Sequence, residues 1–131
     1  MVLDTSAVVA ILCGESGCDP LKEAIARDRI RLMSVASALE ASMVLENRYG
    51  DAGAGELDLV IQRLPIQLRA VDREQVEWAR HAFRTYGRGR HRAGLNFGDC
   101  FSYALAKSTG EALLYVGDDF ATTDVGNALE E

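Results

Sequence analysis

The chain has 131 residues, of which 48% are hydrophobic and 26% are charged, and its formal net charge is -6. This length supports one domain with a single core and is too short for two. The composition is ordinary for a globular protein, and no stretch approaches the roughly 20 apolar residues of a membrane span. The acidic balance excludes a general nucleic-acid-coating protein, which would be basic overall.

The N-terminus and the cysteines indicate a cytoplasmic protein. The opening Met-Val-Leu-Asp has neither the basic segment nor the apolar run of an export signal. Cys13, Cys18 and Cys100 are an odd number without a C-x-x-C pair, which favours reduced thiols over a disulfide framework.

Short apolar runs alternate with helical patterns along the whole chain, without hairpin turns between them. The predicted strands are residues 1–3, 30–35, 66–71 and 112–116. The predicted helices are residues 7–12, 21–27, 38–49, 56–64, 72–86 and 99–110, with a turn at 51–55 and a loop at 87–96. This alternation predicts an α/β fold for residues 1–131 as a single domain, with a central parallel sheet of about four strands and helices on both faces.

The last predicted helix begins at Asp99, directly after a loop that ends with Phe97 and Gly98. Beyond it, Cys100 and Ala104 belong to a set of residues at the spacing of a buried helical face. A carboxylate in the first turn faces the positive end of the helix dipole, which favours its charged form. Asp99 alone could equally be a structural helix cap.

Acidic residues recur at one edge of the predicted sheet. Asp4 ends the first strand, and Glu40 lies in the first turn of the helix after the second. Asp99 opens the helix before the fourth strand, and Asp118 and Asp119 follow that strand. In parallel sheets, ligands bind beyond the carboxyl ends of the strands, so these acids are expected to meet there.

Four carboxylates brought together without counter-ions would repel one another and raise their pKa values. A divalent cation resolves that conflict, and oxygen ligands without Cys or His favour Mg²⁺ or Mn²⁺ over zinc. The acids therefore predict metal-assisted phosphodiester hydrolysis.

Each acid also has a structural interpretation. Asp4 could cap a helix, Ser37 to Glu40 has the form of a capping box, and Asp118–Asp119 could be an exposed turn. Other functions compete as well: a phosphate-handling domain with Asp4 as phosphoacceptor, a catalytically silent RNA- or protein-binding module, and a DNA nuclease. Asp4 lacks a second acid two residues later, and the short chain lacks a clamp for duplex ends. All four acidic positions are filled or nearly so, which favours the nuclease over the silent module.

A basic stretch, residues 84–92, is the natural contact for an RNA backbone. Arg88 and Arg90 within it are predicted to bind phosphate, because guanidinium groups match phosphate oxygens bidentately. The alternative is a solvated, mobile loop. Tyr86 and Phe97 flank the stretch and could stack bases, although Phe97 is assigned to the core.

Four segments in this order resemble the PIN-domain ribonucleases, in particular the VapC-type toxins of bacterial toxin–antitoxin pairs. They are residues 2–7 (V-L-D-T-S-A), 38–40 (A-L-E), 97–106 (F-G-D-C-F-S-Y-A-L-A) and 113–120 (L-L-Y-V-G-D-D-F) with Thr123 and Asp124. The resemblance extends over essentially the whole chain, and its most specific parts are the opening segment and Gly-Asp-Cys-Phe.

The resemblance implies a Mg²⁺- or Mn²⁺-dependent endoribonuclease that cleaves single-stranded or looped RNA. By position, Asp4 and Asp99 match the principal metal ligands and Glu40 matches the third acid. The family places its fourth acid directly after the last strand, where this chain has Gly117. Asp118 or Asp119 must then serve, and Asp118 is preferred.

The resemblance also implies roles for hydroxyl groups and for partners. Thr5 or Ser6 would hold a water on the metal or a phosphate oxygen. Cleavage would leave a 5′-phosphate and a 3′-hydroxyl. The toxin would be a homodimer away from membranes, silenced in a hetero-oligomer by a small VapB-type antitoxin that blocks the acidic pocket.

Overall fold

The computed structural model describes residues 1–130. Within them the strands are β1 (Val2–Leu3), β2 (Leu32–Ser34), β3 (Gln67–Arg69) and β4 (Leu113–Leu114). The helices are α1 (Thr5–Leu12), α2 (Asp19–Arg27), α3 (Val35–Tyr49), α4 (Asp51–Arg63), α5 (Arg73–Tyr86) and α6 (Phe97–Thr109), with a short 3₁₀ turn at Ala128–Glu130. The strands pair only in parallel, in the order β3-β2-β1-β4. The predicted α/β class and four-stranded parallel sheet are confirmed.

Alternating side chains of the short strands give the sheet two apolar faces. One face carries Val2, Leu32 and Leu113, and the other carries Leu3, Met33 and Leu114. The first set packs with α5 and α6, and the second packs with α1 to α4. Burying an aliphatic side chain stabilises a fold by about 1.5–3 kcal/mol, so strands of two or three residues suffice when both faces are covered. The prediction of helices on both faces is confirmed.

The strand order places a topological switch point beside β1. The chain passes from β1 to β2 and β3 on one side, and then returns to add β4 on the other side. Val2 pairs with both Leu32 and Leu113, so β1 is the central strand on which both halves meet. Ligands of open α/β sheets bind in the crevice at such a point, beyond the carboxyl ends of the strands.

Several predicted helix starts were too late. Helix α6 begins at Phe97 rather than Asp99, because Asn96 is its N-cap and accepts a hydrogen bond from the Asp99 N–H. Helix α1 begins at Thr5, with Asp4 as its cap, and α3 begins at Val35, with Ser34 as its cap. For α3 and α6 the capping side chain lies earlier in the sequence than the prediction placed it, whereas Asp4 had been considered as a possible cap of α1.

The segment predicted as a turn at residues 51–55 is the first part of α4. Gly50 alone, at φ 71°, redirects the chain between α3 and α4. Gly53 is needed inside the helix because a Cβ there would collide with the Leu45 carbonyl of α3. The glycine-rich composition that suggested a turn reflects close helix packing instead.

Among residues 1–130, the structure contains no helix long and apolar enough to span a membrane.

Candidate active site

Asp4 is fixed at the point where β1 ends and α1 begins. Its side chain is buried, and its Oδ2 accepts hydrogen bonds from the Ser6 backbone N–H at 3.0 Å and from the Ser6 hydroxyl at 2.7 Å. The Ser6 Oγ in turn accepts a hydrogen bond from the Val116 N–H at 3.0 Å, beyond the end of β4. Asp4 therefore caps its own helix and is tied to the neighbouring strand across the switch point.

Two buried serines support the other oxygen of Asp4. The Ser102 hydroxyl of α6 donates a hydrogen bond to Asp4 Oδ1 at 2.5 Å, and the Ser37 hydroxyl of α3 lies 3.1 Å from the Ser102 Oγ. Both serines are essentially inaccessible to solvent. The hydrogen bonds from Ser6 and Ser102 engage both oxygens of Asp4 and so hold its carboxyl group in one orientation.

Asp99 is the third residue of α6 and forms a capping box with Asn96. The Asn96 N–H donates to Asp99 Oδ2 at 3.0 Å, and the Asp99 N–H donates to Asn96 Oδ1 at 2.9 Å. Within residues 1–130, Asp99 Oδ1 receives no hydrogen bond. One oxygen of this buried carboxylate therefore stabilises the helix, and the other is available to a ligand.

The pKa of Asp99 is raised from 3.8 to about 7. Burial is the largest cause, the hydrogen bond from Asn96 opposes it, and the charges of Asp4, Asp119 and Glu40 raise the pKa further. Like charges near a carboxylate disfavour its ionised form. Asp99 therefore lies within range of charges from three other segments of the chain.

Glu40 lies on α3 with its carboxylate against the backbone of Gly98. A Cβ at Gly98 would stand 2.7 Å from Glu40 Oε1 and 2.8 Å from its Cδ, so only glycine leaves room for this carboxylate. The proposed structural role of Glu40 in a capping box with Ser37 is not observed, because α3 begins at Val35 and Ser37 is buried inside the helix. Glu40 is half-buried and faces the first turn of α6.

Asp118 and Asp119 are both exposed in the turn after β4, and their charges act on different groups. The charge of Asp119 raises the pKa of Asp99, whereas the charge of Asp118 contributes, after burial and Glu130, to the raised pKa of Tyr115. Of the two, Asp119 is the one whose charge acts on Asp99. The sequence had preferred Asp118.

The segment after Asp119 is anchored on α6. Phe120 is buried, and the Tyr103 hydroxyl donates to Asp124 Oδ1 at 2.8 Å. Lys107 Nζ forms an ion pair with Asp124 Oδ2 at 3.0 Å. Burial raises the pKa of Asp124, but the hydrogen bonds from Tyr103 and Lys107 outweigh it and hold the pKa below its usual value. These contacts fix the turn that carries Asp119.

The donor set at this edge suits a hard divalent cation. Four carboxylates with no histidine among them match the oxygen preference of Mg²⁺ and Mn²⁺. Among residues 1–130, no three acidic, histidine or cysteine side chains stand close enough together to hold an ion as they are. The acids lie within range of one another's charge without that closer geometry.

The predicted substrate-binding residues fall into two groups. The Thr5 hydroxyl is buried and donates to the Ser37 carbonyl at 3.0 Å, and the Ser6 hydroxyl lies between Asp4 and Val116. Arg88 and Arg90 are exposed in the connection between α5 and α6.

Backbone hydrogen bonds join the two ends of the connection between α5 and α6. The Arg88 N–H donates to the Leu95 carbonyl at 3.0 Å, and the Leu95 N–H donates to the Tyr86 carbonyl at 2.9 Å.

Sequence reasoning missed four residues that shape the site: Asn96, Gly98, Ser37 and Ser102. Asn96 had a signal, since Asn followed three residues later by an acid is a helix-start pattern. Ser102 follows Asp99 by three positions and so shares its helical face. Gly98 and Ser37 gave no such signal, because their roles depend on contacts between α3 and α6.

Phe97 was assigned to the core, and that prediction was wrong. Its side chain is 82% exposed. It shares the side of α6 that carries Cys100 and Ala104 but, unlike them, it is exposed because it is the first residue of the helix.

Comparison with known proteins agrees with this geometry. The PIN-domain family model matches residues 1–126. A ribonuclease VapC of Mycolicibacterium smegmatis is 55% identical over 125 residues, which cover 95% of this chain and 97% of that protein. Ribonuclease VapC30 of Mycobacterium tuberculosis is 54% identical, with 95% of each chain covered. VapC ribonuclease Mb0625 of Mycobacterium bovis is 41% identical over 131 residues, covering 99% of this chain and 98% of that protein.

A solved structure shares the fold at low sequence identity. It is Mycobacterium tuberculosis VapC20, described as a toxin that cleaves the sarcin–ricin loop, with a TM-score of 0.76, 18% identity and 95% coverage of both chains. The fold and the acidic switch-point site define a PIN-domain protein, and with these relatives the chain belongs to the VapC ribonucleases of that family. The prediction that the chain belongs to this family is confirmed, and so is the prediction that it is a ribonuclease and therefore a hydrolase.

Proposed function

We propose that this protein is a Mg²⁺- or Mn²⁺-dependent endoribonuclease toxin of the cytoplasm, formed by one nuclease domain over residues 1–131. The observation that supports it best is Asp99, whose pKa reaches about 7 because it is buried among the carboxylates of Asp4, Glu40 and Asp119. Gathering like charges destabilises a folded protein, and a divalent cation compensates for it. The solvent-facing side of this cluster is where a phosphodiester would bind.

In this proposal Asp4 and Asp99 are the principal metal ligands, with Glu40 and Asp119 completing the acidic cluster. The bound cation would activate water and stabilise the leaving oxygen. Ser102 and Ser6 keep Asp4 oriented. The capping box with Asn96 engages one oxygen of Asp99 and leaves the other without a hydrogen bond from residues 1–130.

The substrate we propose is single-stranded or looped RNA, cut to leave a 5′-phosphate and a 3′-hydroxyl. Arg88 and Arg90 would contact its backbone and Thr5 or Ser6 a phosphate oxygen or water. VapC20, which shares the fold, is described as a toxin that cleaves the sarcin–ricin loop, and this supports a looped substrate.

The test is cleavage of a labelled single-stranded RNA by purified, antitoxin-free protein in Mg²⁺, in Mn²⁺ and in EDTA. We expect cleavage with either cation, none in EDTA, and none with Asp99→Asn. Asp119→Asn should reduce cleavage much more than the matched change Asp118→Asn. Cleavage that persists in EDTA or in Asp99→Asn would refute the metal-dependent mechanism.

We further propose that the toxin is a homodimer and is inhibited by a VapB-type antitoxin in a hetero-oligomer. The homodimer is supported by an apolar stripe on α3, formed by Val35, Leu39 and Met43, which recur every four residues and are all exposed. Exposed apolar patches of this kind mark interaction sites. Met43→Glu should lower the mass measured by sedimentation from dimer to monomer, and an unchanged mass would refute this interface.

A further inference from the structure

A groove of about 840 Å³ lies between α5 and the start of α6. Its lining combines apolar side chains, among them Val76, Phe83 and Phe97, with four arginines. Within residues 1–130, no carboxylate lines it. A concave surface that is both aromatic and strongly basic suits a ligand with flat apolar groups and negative charge.

Phe97 is the most exposed aromatic side chain of this groove. Its ring makes an edge-to-face contact with Phe101, at 4.9 Å between centroids and 86° between planes, and 82% of the residue faces solvent. A large aromatic group held at one side and otherwise open offers a surface for stacking. Nucleobases stack on such side chains in single-strand binding proteins.

The arginines of the groove are positioned for a polyanion. The Arg90 guanidinium lies over the ring of Phe83 at 4.8 Å, which restrains its long side chain by a cation–π contact. Arg88 is exposed beside it in the tied connection between α5 and α6. Guanidinium groups that are already ordered lose less freedom when they bind phosphate.

The groove and the acidic site share the first turn of α6, which carries Phe97 of the groove lining and Asp99 of the acidic cluster. Phe97 and Asp99 are separated only by Gly98, so their backbones lie about 3 Å apart along the helix axis at 1.5 Å per residue. Residues two apart project from different sides of a helix, so a strand passing around the start of α6 would place a base against Phe97 on one side and a phosphate at Asp99 on the other.

We propose that this groove is a subsite for one unstacked nucleobase beside the scissile phosphate, with Phe97 as its stacking surface and Arg88 and Arg90 on the adjoining phosphates. The inference rests on the proposed ribonuclease function and deepens it. Paired bases are not free to stack on a side chain, so the subsite selects single-stranded or splayed RNA. A second copy of this chain fits less well, because a two-fold contact here would place arginines opposite arginines.

The test measures RNA binding in EDTA with all proteins carrying Asp99→Asn, so that the RNA stays intact. The probes are a short single-stranded RNA and a series of the same RNA with one base removed at each position in turn. The variants are Phe97→Ala, Phe97→Trp and, as a matched control, Leu59→Ala, which truncates a partly exposed apolar residue of α4 away from the groove.

We expect Phe97→Ala to weaken binding by about 5- to 150-fold, the range for one lost base-stacking contact. Its dependence on salt should stay unchanged, because no charge is removed. Phe97→Trp should restore the affinity, with indole fluorescence quenched by RNA beyond any change that Trp78 shows in the parent protein. Leu59→Ala should bind like the parent.

The base-removal series identifies the interaction directly. One abasic position should weaken binding to the parent protein but cause no further loss in Phe97→Ala, since both changes remove the same stacking contact. Equal affinity of Phe97→Ala and the parent would overturn the subsite. So would a loss of affinity that follows a change in oligomeric mass, which would make the groove an interface between copies. Cleavage by the unmodified protein in Mg²⁺ is scored separately, so failure of the subsite and failure of the ribonuclease function are distinguishable.

Discussion

Ser102→Ala tests whether the buried serines hold Asp4 ready for a cation. The Ser102 hydroxyl donates to Asp4 Oδ1 at 2.5 Å, in a position that is fully buried on α6. The substitution removes one oxygen atom and changes little else in shape. Asp4 Oδ1 would lose its donor, and the Ser37 hydroxyl would lose its partner at 3.1 Å.

The structure permits an estimate of the cost. A hydrogen bond to a charged group contributes about 1.5–3 kcal/mol, and leaving a buried acceptor without its donor incurs that cost in full. For a chain of this length, roughly 4 °C of melting temperature corresponds to 1 kcal/mol, so we expect a fall of about 6–12 °C. Loss of a group that orients a metal ligand typically lowers metal affinity by about 10- to 100-fold.

The assay combines thermal unfolding in EDTA with calorimetric titration of Mn²⁺. Ser108→Ala is the matched control, since Ser108 lies on the same helix and its hydroxyl donates only to the Leu105 carbonyl, at 3.3 Å. We expect the free energy of unfolding of the control to lie within about 0.5–1.5 kcal/mol of that of the parent, and its affinity for Mn²⁺ to be unchanged. If Ser102→Ala and Ser108→Ala behave alike in both measurements, the buried serines do not prepare Asp4.

Three further predictions concern glycines and protonation. Gly98→Ala should displace the Glu40 carboxylate and lower cleavage. Its stability in urea unfolding should be equal to that of the parent or slightly higher, because alanine favours helix over glycine by up to about 1 kcal/mol. Unimpaired cleavage would contradict this prediction. The raised pKa of Asp99 stabilises the metal-free protein most at low pH, so its free energy of unfolding should fall as pH rises from about 4 through about 7. Asp99→Asn or added Mn²⁺ should flatten that fall, and an identical profile in Asp99→Asn would assign it to another group. Gly53→Ala should destabilise the fold by about 1–3 kcal/mol through its clash with the Leu45 carbonyl, and urea unfolding with an unchanged midpoint would refute that packing argument.

Much of the fold could be predicted because two local signals agree along the chain. Apolar runs ending in acids or glycines marked the strands, and capping residues marked the helices. Boundaries failed where one residue serves both as the end of a strand and as a helix cap, as Asp4 and Ser34 do. They also failed at residues 51–55, where glycine composition reflects packing against α3 rather than a turn.

The candidate site could also be predicted in part from the sequence. Asp4 and Glu40 follow from strand order, since the sheet edge gathers whatever follows each strand. Asp99 reaches the same edge because α6, which leads into the parallel strand β4, begins there. The choice between Asp118 and Asp119 depends on how the turn after β4 is anchored by Phe120 and Asp124, which no local pattern encodes. The exposure of Phe97 could not be predicted for a related reason. An aromatic residue at the start of a helix is normally assigned to the core unless the direction of the helix is known.

The structural and functional interpretations of the two principal acids are not alternatives. Asp4 caps α1 and Asp99 closes the capping box of α6, and in both cases the cap fixes the rotamer of a carboxylate at the sheet edge. A helix N-terminus also favours negative charge, which offsets part of the repulsion among the acids. Capping therefore makes it possible for a fold of this size to hold several carboxylates together before a cation binds. For the same reason, replacement by asparagine, which retains an oxygen acceptor for the cap, is expected to separate loss of cleavage from loss of fold more cleanly than replacement by alanine.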